Sequence, residues 1–423
     1  MDAVYYYGQD GEKVDDTIKT LFNLDEKELR WSTEMNSSVY DFVGFVFREN
    51  NILVVFPKHY ADLNDISLLN DSHAECAYDI KLLYGVIRKY SEKIGVSSRA
   101  KTYIGAKDGY DSDYPFNPFF EIYDYFQKFG LYKEKEEKVV PGSYGKISWK
   151  KTIEKAQKIV SEGNLIFAPL YVKKKNLNSV FITDCMAFII DHTIDNFHNF
   201  LSLNCTGYRG DRFDYLRNID FVISQLNQYA NRVFKDIHKQ LIINMISFFE
   251  QYKYRTKSKG GKIHVNIRYF DKIWQDMIGL YLNRHFVGID VDGDGLVFDE
   301  HQTRSPIIFE DKAYTDIDDS SHHFFIDIDH VALDGNALYI FDSKYYFEAK
   351  HLNYKQYSYN EILRYYYPGV TEIYNALLLP GNDRHELHLS LNRAYAGSRL
   401  VGNKIIEQYL STKKIMEDYL ETK

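Results

Sequence analysis

The stretch FFIDIDHVALDGNALYIFDSKYYFEAK, Phe324–Lys350, decides how the chain reads. Two runs of aliphatic, β-branched and aromatic residues flank Asp334-Gly335-Asn336, and such runs around a short Gly-containing turn predict a β-hairpin. Charges interrupt both runs: Asp327 and Asp329 on the first strand, Asp342 and Lys344 on the second. Side chains alternate along a strand with a period of two. Asp342 and Lys344 therefore share one face of their strand, and Asp327 and Asp329 share one face of theirs. A carboxylate in a buried strand is costly unless something positive compensates it, and a divalent cation with a lysine would do so. The pattern is a candidate metal site. Its plainer alternative is an edge strand whose polar side chains face water.

An acid on one strand, a hairpin, then Asp-x-Lys on the next resembles the core of the PD-(D/E)xK nucleases. Asp329 or Asp327 would be the first acid and Asp342-Ser343-Lys344 the (D/E)xK element. The proline of the family name is absent, since Ile328 precedes Asp329 and Ile326 precedes Asp327. The wording IFDSKYY, followed by SYNEILRYYY and then ALLLPG, is similar to the McrC-type nuclease subunits of modification-dependent restriction systems, and most specifically to the LlaJI restriction endonuclease family. The resemblance is densest over Gly260–Gly381 and extends to GKISWKKTI at Gly145–Ile153.

That resemblance implies a mixed α/β fold, with a C-terminal PD-(D/E)xK nuclease-like core whose mixed central sheet is flanked by helices. It implies an endonuclease cutting double-stranded DNA with Mg²⁺, Mn²⁺ being a possible substitute. Asp329 and Asp342 would hold the metal with the Ser343 carbonyl as a third ligand, and Lys344 would orient the attacking water or stabilise the charge growing on phosphorus. A helix ahead of the hairpin often supplies a further acid in such families. Asp271 is the candidate here, with Asp276 second. The family also implies a separate AAA+ GTPase that recognises the site and moves DNA, and an oligomeric assembly through that partner.

Spacing alone would not have selected Asp342-Ser343-Lys344. The same (D/E)xK spacing recurs at Asp25-Glu26-Lys27, Glu136-Glu137-Lys138, Glu310-Asp311-Lys312 and Glu348-Ala349-Lys350. Only the first of these five ends a strand-like apolar run behind an acid-bearing partner strand. Asp290-Val291-Asp292-Gly293-Asp294-Gly295 resembles the start of an EF-hand loop, but its twelfth position is His301 where a bidentate Glu is needed, so it reads as an acidic turn. His322, His323 and His330 lie near the hairpin without further His or Cys at ligand spacing, and read as supporting residues.

Composition sets outer bounds. A chain of 423 residues is long enough for two or three cores. Its net charge of −8 excludes a surface coated with basic residues, so any contact with DNA is local or assisted. No apolar run is long enough for a membrane span, and Met1–Tyr7 lacks the features of a secretory signal. Cys76, Cys185 and Cys205 have no paired spacing, which suits a reducing cytoplasm. No GxxxxGK[ST] loop occurs, so nucleotide-driven motion would come from another polypeptide.

In order, residues 1–140 read as an N-terminal α+β interaction or scaffold domain. Within it VYDFVGFVFRE and NILVVFPK form a hairpin, and Phe116–Phe129 is helical. The charged run Lys133–Lys146, with its Pro and Gly breakers, reads as a link. Residues 141–258 read as a mainly helical connector, and 259–423 as the nuclease-like domain. Between them KYRTKSKGGK, Lys253–Lys262, offers Lys257, Lys259 and Lys262 as candidate phosphate contacts, or else as a solvated loop. Two other function classes stay open: an autonomous site-specific restriction endonuclease, and a non-catalytic interaction protein with a degenerate nuclease fold.

Overall fold

The computed structural model describes residues 4–422 apart from 49–50, 74–75, 99–109, 113, 179, 198–202, 211–212, 259–261, 268, 320–321, 352–353 and 393–403. The chain divides into two compact units. One joins Met1–Ser112 to Lys259–Lys423, and the other is Asp113–Ser258.

The N-terminal part of the first unit runs β1 (Val4–Gln9), α1 (Asp16–Phe22), β2 (Leu29–Ser32), β3 (Ser37–Tyr40), β4 (Val43–Arg48), β5 (Asn51–Phe56), α2 (Leu63–Ser72), α3 (Ala77–Ser98) and β6 (Tyr110–Ser112). The expected hairpin is β4–β5, antiparallel with Arg48 opposite Asn51. Beside it β1 pairs with β5 in parallel, so Gln9 lies opposite Phe56 and both strands release the chain at the same end. Phe22, Phe42, Val46, Leu53 and Val55 fill the core under this sheet.

The second unit contains α4 (Phe116–Phe129), β7 (Glu134–Pro141), β8 (Lys146–Ile147), α5 (Trp149–Lys155), β9 (Gln157–Ser161), β10 (Asn164–Ala168), β11 (Tyr171–Asn178), α6 (Phe181–Asn196), α7 (Ile219–Ala230) and α8 (Asp236–Ser258). The stretch read as a charged link thus carries two strands. Its first strand, β7, pairs antiparallel with β11, from Pro141 opposite Tyr171 to Glu134 opposite Asn178. Residues 141–258 are accordingly not helical throughout. Helices take over from Phe181, where α6 buries Ile182, Cys185, Met186, Ile189 and Ile190.

The chain then returns with β12 (Lys262–Ile267), α9 (Phe270–His285), β13 (Phe286–Ile289), β14 (Leu296–Phe298), β15 (Glu310–Tyr314), β16 (Ile326–Asp334), β17 (Ala337–Ser343), α10 (Tyr354–Tyr366), β18 (Glu372–Pro380), β19 (Arg384–Ser390), β20 (Lys404–Leu410) and α11 (Thr412–Glu421). β12 inserts between β4 and β6, with Ile267 opposite Val43. That insertion merges the ends of the chain into one unit, where the sequence had suggested a separate C-terminal domain from 259.

The last part of the chain builds a mixed six-stranded sheet, ordered β15-β16-β17-β18-β20-β19. β17 runs parallel to β18, and α10 makes the crossover between them. A central strand covered on both sides needs apolar residues on both faces, and Ala337–Asp342 is buried without a break. On one face Tyr339 and Phe341 pack on Phe286 and Phe309, just beyond α9, at ring separations of 5.1–6.1 Å. On the other, Leu338 and Ile340 join Ile328, Val331, Tyr359 and Leu363 beneath α10. Helix α9 buries Phe270, Ile273, Trp274 and Met277, which helical spacing places on one side; Leu280, which the same spacing adds, is half-buried, and Tyr281 is buried beside it. No helix among the described residues is long and apolar enough to cross a membrane.

Candidate active site

The predicted hairpin is β16–β17, closed by a turn in which Gly335 adopts φ +57°. Its register runs from Asp334 opposite Ala337 to His330 opposite Phe341. One further step along this register brings Asp329 opposite Asp342.

A β-bulge gives Asp329 its position. On the other side of β16, Glu310 lies opposite Val331 but Lys312 lies opposite Ile328, so Asp329 and His330 together face a single residue of β15. Ile328 and Val331 are three apart, yet both enter the cluster under α10, which an uninterrupted strand cannot arrange. The extra residue breaks the alternation and separates Asp329 from Asp327. Asp327 is exposed and lies beside Asp311, whose carboxyl is pushed up by burial and by the Asp327 charge.

Asp329 meets the end of β17. Its Oδ2 accepts the Ser343 backbone N–H at 2.9 Å. Asp342 is 3% exposed. Its Oδ2 has no aligned hydrogen-bond donor, although the Lys344 Nζ approaches to 2.6 Å as an ion pair. The strand end itself is fixed from two sides: the Leu378 carbonyl accepts both the Lys344 backbone N–H at 2.9 Å and the Trp274 indole N–H at 3.1 Å. His330 lies against Ser343, with Nε2 2.7 Å from Oγ. Burial pushes His330 down to about 4, so the imidazole is neutral at neutral pH.

Asp329 is pushed up to about 8, first by burial and then by the facing Asp342 carboxylate, against the pull of the Ser343 N–H and Lys344. Two carboxyls driven together in this way favour a proton or a cation between them. The pair opens on a cavity of about 400 Å³, also lined by Asp10, Asp41, Lys58, Asp271, Lys344 and Lys355. Among the described residues no third His, Cys, Asp or Glu joins the pair closely enough to make a three-side-chain metal group. Mg²⁺ is commonly held by one or two carboxylates with waters and substrate oxygens completing the shell. Two hard oxygen donors, one of them buried against the Lys344 ammonium, beside a cavity with room for waters and phosphate oxygens, fit such an ion.

Asp271, in the first turn of α9, lines the cavity without joining the pair. Asp276 is taken up by Lys93 and by the Tyr419 hydroxyl at 2.8 Å. His322 stacks on Phe324, and neither it nor His323 lines the cavity. Lys259 lies outside the described residues, as do the side chains of Lys257 and Lys262, whose backbones belong to α8 and β12. The Asp290–Gly295 segment forms the β13–β14 turn, closed by the Asp294 N–H on Asp290 Oδ1 at 2.9 Å and by Lys404, which pairs with Asp294.

Three residues of the cavity wall carried no signal of their own in the sequence. Lys355 enters from the start of α10. Burial lowers its pKa, but the hydrogen bond to Tyr359 and the charges of Asp342 and Asp329 raise it further, for a net rise. Asp10 and Lys58 arrive from the ends of β1 and β5. Around them the chain is tightly fitted. Gly11 has φ +84°, and a Cβ there would sit 2.6 Å from the Phe347 ring. His59 Nε2 lies 3.1 Å from the Phe347 carbonyl oxygen. Gly11→Ala should therefore lower stability by about 1–3 kcal/mol in a denaturant melt. A melt identical to wild type would show that this wall is not packed as described.

The family described as LlaJI restriction endonuclease matches residues 42–394. No curated protein matches. Among solved structures, a chain in the Thermococcus gammatolerans assembly of McrB AAA+ hexamers with bound McrC is similar at 12% identity over 99% of each chain, with a TM-score of 0.40. A chain of the McrBC complex from the same organism, solved by cryo-EM, is 12% identical and has a TM-score of 0.21, covering 64% of this chain and 84% of its own. With the family matched across most of its length, the chain belongs to the LlaJI restriction endonucleases.

Proposed function

We propose that this chain is a metal-dependent DNA endonuclease with a PD-(D/E)xK-type site, the nuclease subunit of a McrBC/LlaJI-type restriction system that works with a separate AAA+ GTPase. The observation that carries the reading is the meeting of Asp329, Asp342 and Lys344 at one cavity, with a bulge turning the first acid toward the second. Membership of a restriction endonuclease family supports the reaction class. The missing phosphate-binding loop and the McrC-type wording of the hairpin support a motor on another chain.

Asp329 and Asp342 would hold Mg²⁺, or Mn²⁺ in its place. Such an ion supplies Lewis acidity and an acidified water. The chain's own groups do the rest. Asp342 keeps the Lys344 ammonium at the cavity, where it orients the attacking water or offsets the charge gathering on the phosphoryl oxygens. Neutral His330 and the Leu378 carbonyl keep the strand end from shifting as that charge develops. Water oxygen bonds to phosphorus and gives up a proton to solvent, one P–O ester bond breaks, and the leaving oxygen takes up a proton.

The test is cleavage of duplex DNA by the purified chain with Mg²⁺ or EDTA, each with and without the AAA+ GTPase of its own system and GTP. Cleavage that needs both metal and motor is expected. Metal-dependent cutting without the motor would make the chain an autonomous endonuclease. No cleavage under any of these conditions would leave the interaction protein as the reading.

A further inference from the structure

The N-terminal part of the chain contributes a charged pair to the cavity that holds the acids. Asp10 and Lys58 lie there because β1 and β5 end together, with the Asp10 N–H donating to the Phe56 carbonyl at 2.9 Å. Lys58 Nζ is 2.5 Å from Asp10 Oδ2 and 4.1 Å from the centre of the Tyr345 ring. The Tyr345 hydroxyl in turn accepts the Lys58 backbone N–H at 2.9 Å. Tyr345 directly follows Lys344, so the N-terminal pair leans on the same strand end that carries the Asp-x-Lys element. Asp10 is 7% and Lys58 9% exposed.

Stability is a weak reason for such a pair. Withdrawing two charges from water costs several kcal/mol per ion, and their mutual attraction roughly offsets that cost, so apolar residues of similar volume would hold the wall as well. Substrate chemistry is a better reason. Duplex DNA carries one negative charge per about 1.7 Å of axis, so phosphates beside the scissile one must pass along the cavity wall. There a partly desolvated ammonium binds a phosphate oxygen more strongly than a surface lysine does. Both ammoniums are paired, Lys344 with Asp342 and Lys58 with Asp10, but they reach the cavity from different walls, so Lys58 can meet a phosphate other than the one beside Lys344.

We infer that Lys58 is a phosphate-binding residue of the site, taking a DNA backbone phosphate next to the one that is cut, and that Asp10 and Tyr345 are positioning residues that hold its ammonium at the cavity. The inference rests on the nuclease reading above. It gives the N-terminal part of the chain a direct role at the reaction centre, beyond scaffolding.

Asp10→Asn and the double variant Asp10→Asn/Lys58→Met test it in the full chain with its AAA+ partner, the double variant leaving no lone charge buried. Relative to wild type, the double variant should raise KM for duplex DNA about tenfold, the loss of one charged hydrogen bond, with kcat little changed. Its binding to duplex DNA in EDTA should show a slope of log K against log salt smaller by about 0.9, one phosphate contact. Metal-induced thermal stabilisation should stay as in wild type, because the acid pair is untouched. An unchanged KM together with an unchanged salt slope overturns the inference. Should the double variant fail to fold, Asp10→Asn alone decides: an ammonium no longer held at the cavity binds duplex DNA in EDTA less tightly than wild type if the inference holds, and unchanged or tighter binding overturns it. Absence of cleavage by the wild type would sink the nuclease reading instead, and the salt slope, which requires no cleavage, would still decide for or against Lys58.

Discussion

Lys344→Ala and Asp342→Ala should each reduce DNA cleavage by about 10³-fold or more while the variants stay folded and DNA binding changes little. The size follows from what each group does at the transition state. A positioned acid or base contributes about 10²–10⁴-fold, and one preorganised charge at a developing oxyanion about 10²–10³-fold. Asp342 would have both duties, holding the cation and keeping Lys344 at 2.6 Å, so its loss should be the more severe of the two. The paired control is Asp327→Ala. Asp327 has the alternation and the spacing of a first acid, but it is exposed and neighbours Asp311, so cutting should persist near the wild-type rate. Cleavage retained by purified, folded Lys344→Ala and Asp342→Ala would remove the mechanism. Loss of cleavage in Asp327→Ala would mean that the bulge places the wrong acid at the site.

That control marks where the sequence stops being legible. The hairpin could be read because turn chemistry and period-two alternation are local, and Gly335 with its positive φ supplies the turn. Helix α9 could be read because Phe270, Ile273, Trp274 and Met277 repeat at helical spacing. The choice between Asp327 and Asp329 is not local. It depends on how β15, more than a dozen residues upstream, pairs with β16, and alternation within β16 alone treats the two acids as equivalent. Asp10 and Lys58 were harder still. Each follows an unremarkable apolar strand, and they become part of the site only through a parallel pairing and a contact spanning 287 residues, from Lys58 to the Tyr345 hydroxyl. The charged run at β7 was misread for a related reason, since its likeness to a linker is a matter of composition while its pairing depends on β11. In each case the deciding partner lies on another element, where no window along the sequence can find it.

Asp329→Asn should raise the stability of the metal-free protein at pH 8 and abolish its stabilisation by Mg²⁺ or Mn²⁺. Burial and the Asp342 carboxylate push Asp329 up to about 8, whereas an unfolded aspartate ionises near 3.9. Below the unfolded value both states hold the proton, and the group's contribution to stability is fully present. As pH rises toward 8 the unfolded chain releases the proton while the folded chain keeps it, so this group lowers stability by up to about 1.4 kcal/mol per pH unit in that window, and the loss levels off above the folded value. An asparagine has no such proton, which removes the slope. Binding of a divalent cation runs against the same proton: below pH 8 Asp329 must release it, so apparent affinity should rise about tenfold per pH unit up to about 8 and then flatten. At a metal concentration about 100 times Kd the stabilisation is about 2.7 kcal/mol, large enough to follow by thermal melting. Melts of wild type and Asp329→Asn from pH 6 to 9, with EDTA or with metal, separate these effects. A metal-induced shift that survives in Asp329→Asn, or that does not grow with pH in the wild type, would place the cation away from Asp329 and leave the acid pair without its assigned role.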